Sequence, residues 1–346
     1  MSIIRRDKES VFNTAEFSLG RRTNGKLIKL VLWLLIPLVL WWSLKNISLV
    51  DVSNNLRLVG IEAILILIGL NLLIFALFSL RWWLVLRAQG HQLSLISIIS
   101  YRLAGFGVTY FTPGPQFGGE PLQVYLLKQR EQIATSEAAA SVAVDKLLEL
   151  LANFSFLLVG MVVLVFGGFL IGKTSVGLIV IPTLLLLVPA AYLIALWNNK
   201  HLISILVCML EDRFPNHSRI KRIRKTLVET ENHVSKFFQG NKLGFIAAAA
   251  LSIGTWIFMV IEFSLMLKFL GVHLTLPQVL IALTAARIAF LLPMPAGLGT
   301  LEAGQVMAMG LIGVSPVIGI SLTLLIRLRD VIFGGVGLWL GGIYSK

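Results

Sequence analysis

The chain has 346 residues, of which 57% are hydrophobic and only 14% charged, and it carries a net charge of +13. Its mean hydropathy is +0.86. A soluble globular domain has roughly 25% charged residues, so this composition excludes one and points to a polytopic membrane protein. Backbone groups in hydrocarbon must be satisfied within their own segment, so the expected fold class is all-α. Cys208 is the single cysteine, which excludes a disulfide framework and a cysteine-based metal site.

In chain order, residues 1–27 are polar and basic, with Arg5, Arg6, Lys8, Arg21, Arg22 and Lys26. No small-residue cleavage site follows, so the first apolar stretch reads as a retained anchor. Six full spans are expected, at about 28–45, 60–80, 137–168, 176–197, 243–270 and 316–343. The segment 198–242 holds nine basic residues, including the run Arg219, Lys221, Arg222, Arg224, Lys225. Its apolar positions recur at helical spacing, as in helices lying on an anionic membrane surface. The loops at 46–59, 169–175 and 271–276 hold few basic residues. Positive-inside bias therefore predicts a cytoplasmic N-terminus and a cytoplasmic 198–242, with both termini inside. The basic charge is then topological. Without interleaved aromatics it gives no nucleic-acid site.

Two apolar regions are broken in similar ways. TPGPQFGGEP occupies 112–121 and PMPAGLGTLEAG occupies 293–304. Each follows an arginine (Arg102, Arg287), carries a glutamate at the helix restart (Glu120, Glu302), and precedes an aspartate in the next long span (Asp145, Asp330). If each break is the tip of a re-entrant hairpin, the units 60–168 and 243–343 have opposite orientation, joined by span 176–197 and the loop 198–242. An inverted repeat of this kind is a transporter plan. A single membrane domain, 28–346, results. Proline removes an amide and clashes with the preceding turn. Gly119 and Pro121 suit a helix start, and Thr300 suits an N-cap. Each break is then expected to offer free amides and a positive helix end inside the membrane.

Ionisable residues at membrane depth cost roughly 2.5–3.5 kcal/mol each on insertion scales, so they are read as functional or paired. They are Arg102, Glu120, Asp145, Lys146, Glu149, Glu262, Arg287, Glu302, Arg327, Arg329 and Asp330. Helical spacing predicts local pairs, Lys146 with Glu149 and Arg327 with Asp330. Guanidinium binds phosphate bidentately, so Arg102 and Arg287 are read as candidate anion clamps, with structural pairing to carboxylates as the alternative. Glu120, Thr300 and Glu302 sit at the helix restarts, and Glu262 stands alone in its span. With Asp145, Glu149, Arg327 and Asp330 these make the candidate substrate-binding set. GGFLIGKT at 167–174 matches a phosphate-loop pattern literally, but it joins two spans and lacks the strand that motif needs. The five histidines lack metal-ligand spacing. No cofactor, metal or catalytic nucleophile is expected.

TPGPQFGGEPLQVYLL, PMPAGLGTLEAGQVMAMGLIGVS and the closing RLRDVIFGGVGLWLGG together resemble the lysylphosphatidylglycerol synthase membrane-domain family, a flippase-like, UPF-type group, over about 28–343. The resemblance implies movement of a lipid between leaflets, with aminoacylated or polyprenyl-phosphate-linked headgroups as the family's cargoes. The chain ends at Lys346 without a synthetase region, so aminoacyl transfer is not expected to carry over. The expectation is a non-enzymatic lipid translocase of a cytoplasmic (inner) membrane, with phosphate-bearing or anionic lipids as partners. An intramembrane lipid-modifying enzyme and a non-transporting partner subunit are the alternatives, and a homo-oligomer is left open.

Overall fold

The computed structural model describes residues 40–45, 47–112, 117–169, 177–213 and 218–344, and all regular structure among them is helical. The helices are α1 (Leu49–Arg57), α2 (Ile61–Ala88), α3 (Leu95–Phe111), α4 (Glu120–Arg130), α5 (Thr135–Phe166) and α6 (Gly177–Trp197). They continue with α7 (Leu202–Arg213), α8 (Ser218–Gly240), α9 (Lys242–Phe269), α10 (Leu276–Leu291), a 3-10 turn (Pro295–Gly297), α11 (Thr300–Leu311) and α12 (Pro316–Tyr344). The basic stretch 1–27, most of the first expected span, the tip 113–116 and most of the phosphate-loop-like stretch lie outside the described residues.

Helices α2, α5, α6 and α9 are long and apolar enough to cross a membrane, with 28, 32, 21 and 28 residues. At 1.5 Å per residue even 21 residues cover about 30 Å of hydrocarbon. Their outward faces are apolar and exposed, as at Leu65, Ile181, Val188 and Ile253. Such faces suit lipid and would be a liability in water. Helix α12 has 29 residues but carries Arg327, Arg329 and Asp330 in its middle. Helix α2 runs eight residues past the expected end at 80, which draws Arg81 and Trp82 into the interior; both are fully buried.

The two broken regions each give two short helices packed on one another: α3 with α4, and α10 with α11. Backbones meet directly in the first pair, because a Cβ on Gly119 would collide with the Gly105 carbonyl. Gly119 caps α4, and Glu120 and Pro121 form its first turn. In the second pair the turn runs through left-handed backbone at Ala296 (φ 50), Gly297 (φ 61) and Gly299 (φ 80). Gly299, not Thr300, is the N-cap of α11, because the entry needs a positive φ that threonine resists.

The order of contacts is reciprocal. Helices α2 and α9 pack on each other. Helix α3 packs on α12, and α10 packs on α5. Each broken region therefore leans on the closing helix of the other. The α3–α12 contact is the tightest, since a Cβ at Gly337 would collide with the Leu103 carbonyl and one at Gly107 with the Gly334 carbonyl. Gly337 and Gly341 thus serve helix packing through a small-residue face.

Helix α8 packs against α5 and α6. Its Glu231 is buried and receives hydrogen bonds from the Ile203 and Ser204 amides at 3.1 and 2.8 Å. It thereby caps the start of α7 from a neighbouring helix. The side chains of Arg219, Lys221 and Arg222 lie outside the described residues.

Candidate functional site

The first half of α5 starts the site. Asp145, Lys146 and Glu149 fall within five residues, so one helical face presents all three. Asp145 is buried and accepts from two arginines: Arg81 on α2 at 2.7 Å, and Arg102 on α3. Arg81 also donates to the Ser252 hydroxyl at 3.1 Å and lies 3.7 Å from Glu149. Arg102 faces the rings of Phe78 and Trp82 at 5.7 Å each. One carboxylate thus bridges two guanidinium groups, and Glu149 nearby brings a second negative charge. A buried pair of this sort adds little net stability when intact, but losing one partner costs about 3–5 kcal/mol.

Lys146 pairs with Glu149 at 2.8 Å, as its spacing predicts, and also with Glu120 at 3.1 Å. The Glu120 carboxylate additionally accepts from the Gly118 amide at 2.8 Å. The Gly119 amide donates to the Thr109 hydroxyl at 2.9 Å. On the other side, Arg327 donates to both oxygens of Glu302, at 2.6 and 2.8 Å. It also donates to the Ala296 and Gly297 carbonyls at 3.1 Å each. Glu302 takes the Gly299 amide at 2.9 Å. The two restart glutamates therefore do the same work. Each caps its own helix and accepts a cation from the next long helix. The free amides expected at the two helix tips are, at Gly118, Gly119 and Gly299, occupied from within. A buried amide without water must find such a partner.

Arg327 does not pair with Asp330. That role falls to Arg329, which meets Asp330 at 2.8 Å and Glu262 at 2.5 Å. Glu262, isolated in its own helix, is thus balanced across the bundle.

Arg287 differs from every other membrane-depth arginine. Among the described residues it makes no ion pair. Its Nε is shielded and without a hydrogen bond. Its contacts are the Met259 sulfur at 3.6 Å and the Trp256 ring at 4.9 Å. Trp256 is itself stacked on Phe156 at 4.1 Å.

These groups surround a cavity of about 260 Å³. Arg102, Glu120, Asp145, Glu149, Glu262, Arg287 and Asp330 all line it, with Lys146 and Arg329. Its apolar wall is aromatic: Phe75 stacks on Phe333 at 5.6 Å and meets Phe106 edge-on at 6.1 Å. Thr300, Glu302 and Arg327 do not line the cavity; they hold the turn beside it, the Thr300 hydroxyl donating to the Ala289 and Gly297 carbonyls at 3.1 Å each. Every carboxylate on the lining has a cationic partner. Arg81 is the residue that sequence reasoning omitted. Its position before Trp82 and Trp83 looks interfacial, and only the extension of α2 to Ala88 places it inside.

An all-helical bundle with apolar exterior faces and a charged interior cavity is a multi-pass membrane protein. The family model "lysylphosphatidylglycerol synthase TM region" matches residues 27–336, and the chain belongs to that family. It is thereby a membrane protein related to lipid handling. The chain is 23% identical to a UPF0104 membrane protein of Methanothermobacter thermautotrophicus, over 80% of this chain and 84% of that protein. It is 25% identical to a UPF0104 membrane protein of Methanocaldococcus jannaschii, over 77% and 80%. A third, from Pyrococcus horikoshii, is 22% identical over 85% and 89%. No solved structure matches the chain.

Proposed function

We propose that the chain is a lipid translocase that moves a phospholipid or polyprenyl-phosphate-linked headgroup between leaflets, without making or breaking bonds. The observation that carries this reading is Arg287, a permanent cation on the wall of an interior cavity with no carboxylate partner among the described residues. A guanidinium without a direct ion pair at that depth is costly. A phosphate oxygen pair would satisfy it bidentately. Arg102, by contrast, is already engaged by Asp145 and acts in this reading as part of the frame. The aromatic wall suits the apolar part of a lipid.

In the same proposal α3–α4 and α10–α11 are re-entrant hairpins, and the units containing them form an inverted repeat. Helix α4 has 11 residues and α11 has 12. At 1.5 Å per residue these cover about 18 Å at most, too little to cross alone. The reciprocal packing of α3 on α12 and α10 on α5 is what a two-fold relation between the units would generate. Irregular backbone at membrane depth is tolerated where it lines a cavity. The charge distribution of the loops supports an inner membrane location with both termini cytoplasmic.

The test is reconstitution of the purified protein in liposomes with fluorescent phospholipids and dithionite quenching. Arg287→Ala is expected to slow headgroup translocation at least tenfold while the protein remains folded. Equal rates in the two proteins would remove the anion site from the proposal.

A further inference from the structure

A second cavity, of about 330 Å³, lies next to the first. Its wall is apolar: Phe117, Leu150, Phe154, Leu185 and Leu291. The two cavities share Lys146 and Glu149, which line both. On α5 the residues Lys146, Glu149, Leu150, Asn153 and Phe154 follow the i, i+3, i+4, i+7, i+8 pattern of a single helix face. Along that face the chemistry changes within a turn or two, from paired charges to a neutral amide to hydrocarbon.

Asn153 is the informative residue. It is buried, with 6% of its surface exposed, and it lines the second cavity. Its carboxamide makes no hydrogen bond among the described residues, whereas Ser141 and Asp145 on the same helix are each met by a side chain from a neighbouring helix. The amide opens onto the cavity, where its donor and acceptor are available to an occupant. A cavity meant only to be filled by side-chain packing would not place it there. Nor would a purely hydrocarbon ligand relieve it.

We propose that this second cavity is the chain subsite of the cargo. It takes the first carbons of one hydrocarbon chain of a glycerolipid, and the Asn153 amide donates to an oxygen of the linkage between glycerol and that chain. The Lys146–Glu149 pair separates the two compartments. The headgroup lies on the Arg287 side and the linkage about one turn, ~6 Å, along α5 from Glu149. This rests on the lipid-translocase reading and narrows it. A glycerolipid brings a linkage oxygen to Asn153, whereas a polyprenyl phosphate has none beyond its phosphate.

The experiment uses full-length protein in phosphatidylcholine vesicles and three photoactivatable probes. One is a diacyl phospholipid with a diazirine on the first carbons of a chain. Another is the same lipid with the diazirine on its headgroup. The third is a polyprenyl phosphate with the diazirine near its phosphate end. Labelled peptides are located by mass spectrometry. The chain probe is expected to label Leu150–Phe154 and the Leu185 region, and Leu185→Trp and Leu150→Trp, which fill the cavity, should each cut that labelling at least fivefold. Labelling of the first cavity by the headgroup probe should stay within twofold in the same variants, which also shows that they are folded. Asn153→Leu should lower chain-probe labelling at least threefold and leave the polyprenyl probe's weaker labelling unchanged. Chain labelling spread evenly over the lipid-facing side of α6, and insensitive to Leu185→Trp, would overturn the subsite while leaving the headgroup site standing. Equal labelling by the polyprenyl probe would overturn the role of Asn153. Loss of headgroup labelling from the first cavity in the unmodified protein would overturn the translocase reading and the subsite with it.

Discussion

Arg102 and Arg287 hold matching places in the chain, and the structure treats them in opposite ways. Each lies in the helix before a proline-glycine break, and each lines the same cavity. Arg102 shares Asp145 with Arg81. Arg287 has an aromatic ring and a thioether for neighbours. The closing helices explain the difference. In α5 the aspartate receives cations from two other helices. In α12 the corresponding Asp330 has its own neighbour, Arg329, which also reaches Glu262. In the first unit both arginines share one carboxylate, whereas in the second Arg329 takes two carboxylates and Arg287 is left without an ion pair among the described residues.

The sharpest way to break this comparison is to remove the shared carboxylate. Asp145→Ala leaves Arg81 and Arg102 buried without it and should cost about 3–5 kcal/mol, seen as a large drop in thermal stability in detergent. Adding Arg81→Met and Arg102→Met to that variant should recover much of the loss, since a well-packed apolar replacement of a buried triad is often neutral. A smaller effect is expected at the contact between units. Gly337→Ala forces the α3 and α12 backbones apart and should cost about 1–3 kcal/mol by the same measurement. Glu302→Gln keeps a capping oxygen for the Gly299 amide but loses the charge of the Arg327 pair; about 1.5–3 kcal/mol is expected. The smallest stability change should come from Arg287→Leu, which removes an unpaired charge and should leave thermal stability unchanged or slightly raised.

The same contrast shows what the sequence can and cannot carry. Apolar length marks the long helices, and proline with glycine marks both breaks, because those features act locally. The membrane-depth carboxylates also follow from their positions within and beside the apolar stretches, and the structure gathers most of them on one cavity. Partner choice does not follow. Helical spacing sends Arg327 to Asp330, yet Arg327 reaches across to Glu302 because the turn at 295–299 presents two carbonyls and a carboxylate together. Arg81 is hidden by two adjacent tryptophans that look like the end of a span. Thr300 has the side chain of an N-cap, but the left-handed entry into α11 requires Gly299. For the two arginines a contact distant in sequence overrides a local preference, and for Thr300 the backbone geometry of the turn does.

The central claim is that Arg287 is held free to meet an anionic headgroup, and lipid-induced stabilisation tests it most directly. A soluble short-chain phospholipid bound at a hundred times its Kd should stabilise the unmodified protein by about 2.7 kcal/mol. The account predicts that this stabilisation disappears in Arg287→Leu while the variant's lipid-free stability is equal to or slightly above that of the unmodified protein. Equal stabilisation of both proteins by the lipid would contradict it.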